Sequence, residues 1–321
     1  MTRSNIAVIG AGLIGQAWAL VFARAGRRVR LWDDASESLP QAVLTIAALA
    51  RTLEQYRLVD DASALAGRIE VASSLEEAVD GVAYVQENVA EDVPIKKDIF
   101  SKLDAIVDRA VVIGSSTSGI QTSVFSEGLP GRARCLVAHP ANPPYLIPVV
   151  EISGAPWTSA DAISRVERLM REVGQKPVIV QREIEGFILN RLQGAVLREA
   201  FRLIDGGYVD VDGLDSVFRD GLGLRWSFMG PIETIDLNAP GGLADYCQRY
   251  GELYRRISEA QVSTESWSQE LVDRLHQERR IQVHHGELLA KRLWRDQRLM
   301  ALAVHKKEQE EQEAAAGEAS G

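Results

Sequence analysis

The run Ile6-Ala7-Val8-Ile9-Gly10-Ala11-Gly12-Leu13-Ile14-Gly15 constrains this chain most, because a short apolar stretch feeds directly into a G-x-G-x-x-G hexapeptide. A continuous β-rich run of this length is the signature of a strand covered on both faces. The apolar residues that follow, 14–23, read as a helix. In such a strand–turn–helix, Gly10 permits the tight turn and Gly12 lets a pyrophosphate approach the backbone. Gly15 lets the helix pack closely on the strand. The helix start at Leu13 and Ile14 offers unpaired N–H groups and a partial positive charge to an anion. A second strand-like run ends in Asp33, about twenty residues further on. A carboxylate there accepts hydrogen bonds from ribose hydroxyls and repels a 2′-phosphate, so the pattern predicts NAD rather than NADP. The hexapeptide alone is a weak signal; its setting makes it specific.

Residues 6–23 carry no charge and superficially resemble a signal peptide or membrane span. Three glycines, a glutamine and a change of period at the turn read instead as strand, turn and helix. The 321 residues suffice for two domains. With 46% hydrophobic and 25% charged side chains, the composition is globular and excludes collagen-like repeats, coiled-coil rods and wholesale disorder. A formal net charge of −9 argues against a nucleic-acid partner, whose binding needs Lys and Arg to neutralise phosphates. It does not exclude a small anionic substrate, which needs one well-placed cation. Cys135 and Cys247 make no C-x-x-C motif and no disulfide framework. No metal site, no membrane attachment and a reducing, cytoplasmic location are therefore expected.

Strand-like runs at 6–9, 29–32, 69–72, 82–86, 111–114, 136–138, 149–152 and 178–180 alternate with helical runs. That alternation predicts an α/β fold, a Rossmann-type doubly wound and mostly parallel sheet, over residues 1–183. The clearest helix is 158–174. Thr158-x-x-Asp161 reads as a capping box, Ile163, Val166, Leu169, Met170 and Val173 share one face, and Gly174 ends it. After Arg182 the strand signals fade, and 187–204, 214–221, 242–257 and 266–304 read as helices of an all-α C-terminal domain, 184–305. Residues 306–321 hold two lysines, five glutamates and no apolar side chain larger than alanine, the composition of a disordered acidic tail.

A nicotinamide site implies hydride transfer, and oxidising an alcohol requires a general base. Of the five histidines, His276, His284, His285 and His305 lie in the charged C-terminal helices and read as solvated or interface residues. His139 differs. It closes the apolar run Cys135-Leu136-Val137-Ala138 at the carboxyl edge expected of the sheet, where ligands bind, and the next strand carries Glu151. A carboxylate accepting one ring N–H would set the tautomer and stabilise the imidazolium.

The runs SSTSG (115–119), AHPANPPYLIPVVEI (138–152) and EIEGFILNRL (183–192) resemble the 3-hydroxyacyl-CoA dehydrogenase superfamily. DGLGLRWSFMGPIETIDLNAPGGLADYCQRY (220–250) is similar to its lambda-crystallin branch, whose enzymes are L-gulonate 3-dehydrogenases. The resemblance implies that His139 is the catalytic histidine and Glu151 its paired acid, with Ser118 and Asn190 holding the reacting oxygen. It places Asn142 at the histidine turn or the substrate, and Glu91 and Lys96 at the nicotinamide-ribose side of the cofactor. It also implies a homodimer made through the helical domain. Helix capping is the competing reading for Ser118. Arg225 suits a free carboxylate, which a guanidinium binds bidentately; a salt bridge or subunit contact is its competing reading. The expected reaction is NAD-dependent oxidation of a free 3-hydroxy acid, L-gulonate to 3-dehydro-L-gulonate. The alternatives are a 3-hydroxyacyl-CoA such as 3-hydroxybutyryl-CoA, L-carnitine held in an aromatic cage of Trp226, Phe228 and Tyr145, and a non-catalytic crystallin-like structural role.

Overall fold

The computed structural model of the chain describes residues 5–262 and 266–320, the last four as backbone only. Each expected strand run forms: β1 (Asn5–Ile9), β2 (Arg28–Trp32), β3 (Ile69–Val71), β4 (Tyr84–Glu87), β5 (Val112–Ser115), β6 (Cys135–Pro140), β7 (Val149–Gly154) and β8 (Lys176–Val180). Among the described residues they make one eight-stranded sheet in the order β3-β2-β1-β4-β5-β6-β7-β8. The pairings are parallel except for β6 with β7, which is antiparallel. This is the doubly wound Rossmann architecture. Strand order reverses between β1 and β4, and a ligand crevice opens at the carboxyl ends there.

The two faces of β1 explain its unbroken apolar run. Ile6 and Val8 point into a core cluster with Trp18, Leu20 and Phe22. Ala7 and Ile9, one residue out of phase, point into the opposite cluster with Phe100, Leu103 and Ile113. A strand covered by an apolar cluster on each face favours apolar side chains at successive positions.

The helix expected at 158–174 runs Ala160–Glu172, and its cap falls one residue later than the capping-box reading placed it. Ser159 Oγ accepts the Ala162 N–H, while Thr158 Oγ1 accepts the Ala155 N–H and donates to Cys135 O. Thr158 is thus drawn into the turn that precedes the helix. The segment expected at 187–204 forms the helix Leu189–Asp205. Gly186 and Phe187 both take left-handed backbone angles (φ 75° and 49°), which delays the helix start to Leu189.

The chain divides into a unit of residues 1–191 with 293–321 and a second unit of residues 192–292. The second unit is helical and includes Val211–Ser216, Gly242–Ala260 and Gln269–Gln282, with a small core of Ile204, Val211, Leu271 and Leu275. The expected boundary at 183 falls at 191 because the start of the helix Leu189–Asp205 stays with the sheet unit, and that at 305 does not hold because the last helix, Leu288–Ser320, joins the sheet unit from Leu293 onward. Met300 is buried there with Tyr145 and Ile152. Residues 306–320, expected to be disordered, instead continue that helix. Packed upstream turns supply the nucleus, and Ala, Glu, Gln and Lys propagate a helix readily once it has formed. Among the described residues no helix is long and apolar enough to cross a membrane. Replacing Met300 with Ala should lower stability by about 2–5 kcal/mol, the usual cost of emptying a buried side-chain site. Urea unfolding measures it, and an unchanged midpoint would mean that the last helix does not dock on the sheet unit.

Candidate active site

The glycine turn has the geometry of a dinucleotide cradle. Gly10 has φ 95°, and a Cβ on it would lie 2.7 Å from the Asn88 carbonyl oxygen. A Cβ on Gly15 would fall 1.8 Å from Gly10 O, so the helix Leu13–Arg24 rests directly on the turn. Gly12 has open space where its Cβ would be, and no side chain caps the first amides of the helix. Unpaired donors facing open space suit a pyrophosphate. Asp33 closes the turn from β2: its Oδ2 accepts the Ala11 N–H at 2.6 Å and its Oδ1 the Ala35 N–H at 2.9 Å. Each oxygen keeps a lone pair for a ribose hydroxyl. Beside it lies a cavity of about 480 Å³ lined by Trp32, Asp33, Leu39, Pro40, Val71 and Ala72, with apolar walls suited to an adenine ring.

His139 and Glu151 stand directly opposite each other in the antiparallel β6–β7 register. His139 Nδ1 lies 2.9 Å from Glu151 Oε2, with both residues almost wholly buried. The other oxygen, Oε1, accepts the Ile188 N–H at 2.7 Å and the Leu189 N–H at 3.0 Å, at the start of the helix Leu189–Asp205. Burial pushes the Glu151 carboxyl up. The hydrogen bonds from His139, Leu189 and Ile188 outweigh it and hold the carboxyl below its ordinary value. The ionised carboxylate selects the Nδ1–H tautomer of His139 and leaves Nε2 as the basic nitrogen. Phe187 packs its ring 5.3 Å from the imidazole, centroid to centroid.

The loop after β5 is held from two sides. Glu91 Oε1 accepts the Thr117 hydroxyl (2.6 Å) and the Ser118 (3.0 Å) and Gly119 (2.9 Å) N–H groups. Asn190 Nδ2 donates to Ser118 O at 2.6 Å. With its backbone N–H and C=O both engaged, exposed Ser118 has its hydroxyl left over: Oγ makes no hydrogen bond to the described residues. Lys96, expected at the cofactor, lies inside at 1% exposure. Its ammonium sits 3.0 and 3.2 Å from the two Glu87 oxygens and 3.4 Å from Val89 O. Ser115 Oγ (2.5 Å) and the Val89 N–H (2.6 Å) also donate to Glu87. Burial drives the Glu87 carboxyl above its ordinary range, against the pull of Lys96 and these donors.

The structure therefore brings Ser118, His139, Glu151 and Asn190 to one edge of the sheet unit. Asn142 is exposed on the turn after β6. Arg225 belongs to the second unit, in the short helix Gly223–Trp226, exposed and without an ion pair to the described residues. The sequence reading missed the Ile188 and Leu189 amides, because backbone donors leave no mark on residue identity. It also passed over Phe187 as a wall of the histidine, although the Gly-Phe pair ahead of an apolar run was a visible turn signal. Among the described residues, no group of three or more His, Cys, Asp or Glu side chains is placed to hold a metal ion.

A dinucleotide cradle beside a histidine–carboxylate pair at the carboxyl edge of the sheet defines a nicotinamide-dependent dehydrogenase. Residues 5–184 match the NAD binding domain of 3-hydroxyacyl-CoA dehydrogenase and residues 186–287 match its C-terminal domain; the chain belongs to this family. It is an NAD-dependent oxidoreductase acting on CH–OH groups. It is 40% identical to rabbit (Oryctolagus cuniculus) lambda-crystallin over 313 residues, 96% of this chain and 98% of that one. It is 38% identical to Streptomyces griseus L-carnitine dehydrogenase over 248 residues, 77% of this chain and 73% of the relative. Among solved structures, 5-formyl-3-hydroxy-2-methylpyridine 4-carboxylic acid 5-dehydrogenase, an NAD+-dependent dismutase, superposes with a TM-score of 0.80 at 26% identity, covering 95% of this chain and 98% of that one.

Because the Glu151 carboxyl is held below its ordinary value of 4.5, the stability it contributes is present above that value and disappears as pH falls through the lowered one. Glu151→Gln should therefore make the urea midpoint fall less steeply than in the parent protein between about pH 6 and pH 3. Parallel slopes would remove the carboxylate from this role.

Proposed function

We propose that the chain oxidises the 3-hydroxyl of a free 3-hydroxy acid, L-gulonate to 3-dehydro-L-gulonate being the leading case. The observation that carries the reaction type is the buried 2.9 Å pair of His139 Nδ1 and Glu151 Oε2 beside the Ser118 loop. The similarity of residues 220–250 to the lambda-crystallin branch, together with the exposed Arg225, favours a free acid over a CoA thioester.

Gly10, Gly12, Leu13, Ile14, Gly15 and Asp33 would hold NAD, with Glu91, whose Oε2 lies 3.9 Å from the Lys96 ammonium, toward the nicotinamide ribose. NAD, when bound, supplies the acceptor for the hydride leaving the carbinol carbon. His139 takes the hydroxyl proton at Nε2. Glu151 Oε2 holds the Nδ1–H and stabilises the imidazolium positive charge, and the helix amides on Oε1 keep that carboxylate ionised. Ser118 Oγ and the second amide hydrogen of Asn190 donate to the substrate oxygen as it gains alkoxide character. The guanidinium of Arg225 is of the chemistry that suits the carboxylate of a free acid.

A second reading, L-carnitine, is favoured by the Streptomyces relative and by Trp226 and Phe228, both exposed on the helical unit. Tyr145, the third ring of an expected cage, is buried in the core of the sheet unit. A homodimer through the helical unit belongs to the same proposal, supported by exposed Leu253, Tyr254 and Ile257 on the helix Gly242–Ala260. A cytoplasmic location does too, supported by two free cysteines. NADH production from L-gulonate, L-carnitine, 3-hydroxybutyrate and 3-hydroxybutyryl-CoA tests the substrate; activity on the thioester alone defeats the free-acid reading. His139→Gln should lower turnover by on the order of 10²- to 10⁴-fold with NADH affinity near that of the parent protein. Retained turnover would eliminate His139 as the base.

A further inference from the structure

The second serine of the SSTSG run has no part in the chemistry above, yet its hydroxyl makes three hydrogen bonds. Ser116 Oγ accepts the Trp18 Nε1–H at 2.9 Å and a Gln86 Nε2–H at 2.7 Å, and donates to Asn88 Oδ1 at 2.7 Å. A hydroxyl has one proton to give and two lone pairs, so all of its capacity is used.

Each partner leads to a different piece of the active site. Trp18 belongs to the helix Leu13–Arg24, which begins at the glycine turn, and is wholly buried. Asn88 holds the turn from below: its backbone N–H (2.7 Å) and Nδ2 (3.2 Å) both donate to Ile9 O, next to Gly10. Its carbonyl occupies the space that a Cβ on residue 10 would need. Gln86 is buried, accepts the Tyr84 hydroxyl at 2.7 Å, and reaches Ala138 O, just before His139, at 3.4 Å. Ser116 itself lies two residues before Ser118, its N–H donating to Glu87 O at 2.8 Å. Ser115 and Ser116 continue the alternation of β5, so one serine binds Glu87 and the other turns to Trp18 on the opposite side.

We infer that Ser116 is a positioning residue for hydride transfer. Its hydroxyl sets the spacing between the glycine turn that carries the cofactor and the loop that carries Ser118, and through Gln86 it references the end of β6. Alanine at 116 leaves the Trp18 and Gln86 donors without this acceptor and frees Asn88 Oδ1. The turn and the loop then lose their common anchor while every group that meets cofactor or substrate is still present.

The test uses the purified full chain with Ser116→Ala, Ser116→Thr, Trp18→Phe and the Trp18→Phe/Ser116→Ala double variant. Near-ultraviolet circular dichroism verifies folding, NADH fluorescence titration reads the cofactor site without any substrate, and first-turnover NADH appearance reads hydride transfer with an alcohol that the parent protein oxidises. Ser116→Ala should weaken NADH binding and slow the first turnover by on the order of ten- to a hundredfold, with little change in the alcohol KM. Ser116→Thr, which keeps the hydroxyl, should restore both. The double variant should be little worse than Ser116→Ala, because one anchor is lost only once. Parent-like NADH affinity and first-turnover rate in folded Ser116→Ala overturn the inference, as do full multiplication of the two single losses and failure of Ser116→Thr to restore. If Ser116→Ala does not fold, Trp18→Phe decides: a slower first turnover at unchanged KM supports the anchor, and an unchanged rate overturns it.

Discussion

The buried pair of His139 and Glu151 exists because one strand runs the wrong way. In a sheet whose other pairings are parallel, β7 returns antiparallel to β6 and sets Glu151 directly opposite His139. Cross-strand neighbours in an antiparallel pair hold their side chains within about 4.5–5.5 Å at Cβ, close enough for a carboxylate to grip an imidazole. The second oxygen of the same carboxylate receives the first amides of the helix Leu189–Asp205. Glu151 thus fixes the His139 imidazole, ends the segment that leads from the sheet, and shares its charge with a helix start that favours the ionised form. Replacing it by an apolar side chain would leave two amides and a buried ring N–H without their acceptor.

The loops at the same edge follow a related logic, with acids used as internal clamps. Glu87 gathers Lys96, Ser115 and the Val89 amide beneath the loop after β4, and Glu91 gathers three donors from residues 117–119. A buried pair such as Glu87–Lys96 adds little net stability, since desolvation offsets much of its attraction. Its value is geometric. A carboxylate with several fixed donors has few alternative arrangements, so the loop that presents Ser118 is held without Ser118 giving up its own hydroxyl.

Much of the fold was legible from short patterns. The apolar runs predict all eight strands, and the glycine turn with Asp33 predicts the cofactor. His139 was legible as the residue ending a buried strand at a ligand-binding edge. Thr158 and Ser159 mark where that legibility fails: both are good caps, and only the contact of Thr158 with Cys135 O decides that Ser159 takes the role. Residues 306–320 fail differently, since composition describes what a segment would do alone and their helix starts from turns that precede them.

What the sequence by itself determined is whatever depends on neighbours along the chain: strand periodicity, the left-handed turn at Gly10, the helix that must follow it, and the class of cofactor. Asp33 belongs to this group because its offset from the turn is set by a strand–helix–strand unit of nearly constant size. The tertiary structure alone decided the contacts between distant residues. Trp18 meets Ser116 across 98 positions, Ser118 meets Asn190 across 72, and Glu151 meets the Ile188 amide across 37. Each arises from strand order and from the antiparallel turn of β7, so no local pattern encodes it. Hydrogen bonds also act over about 3 Å, so only the packed sheet brings such groups within reach of each other.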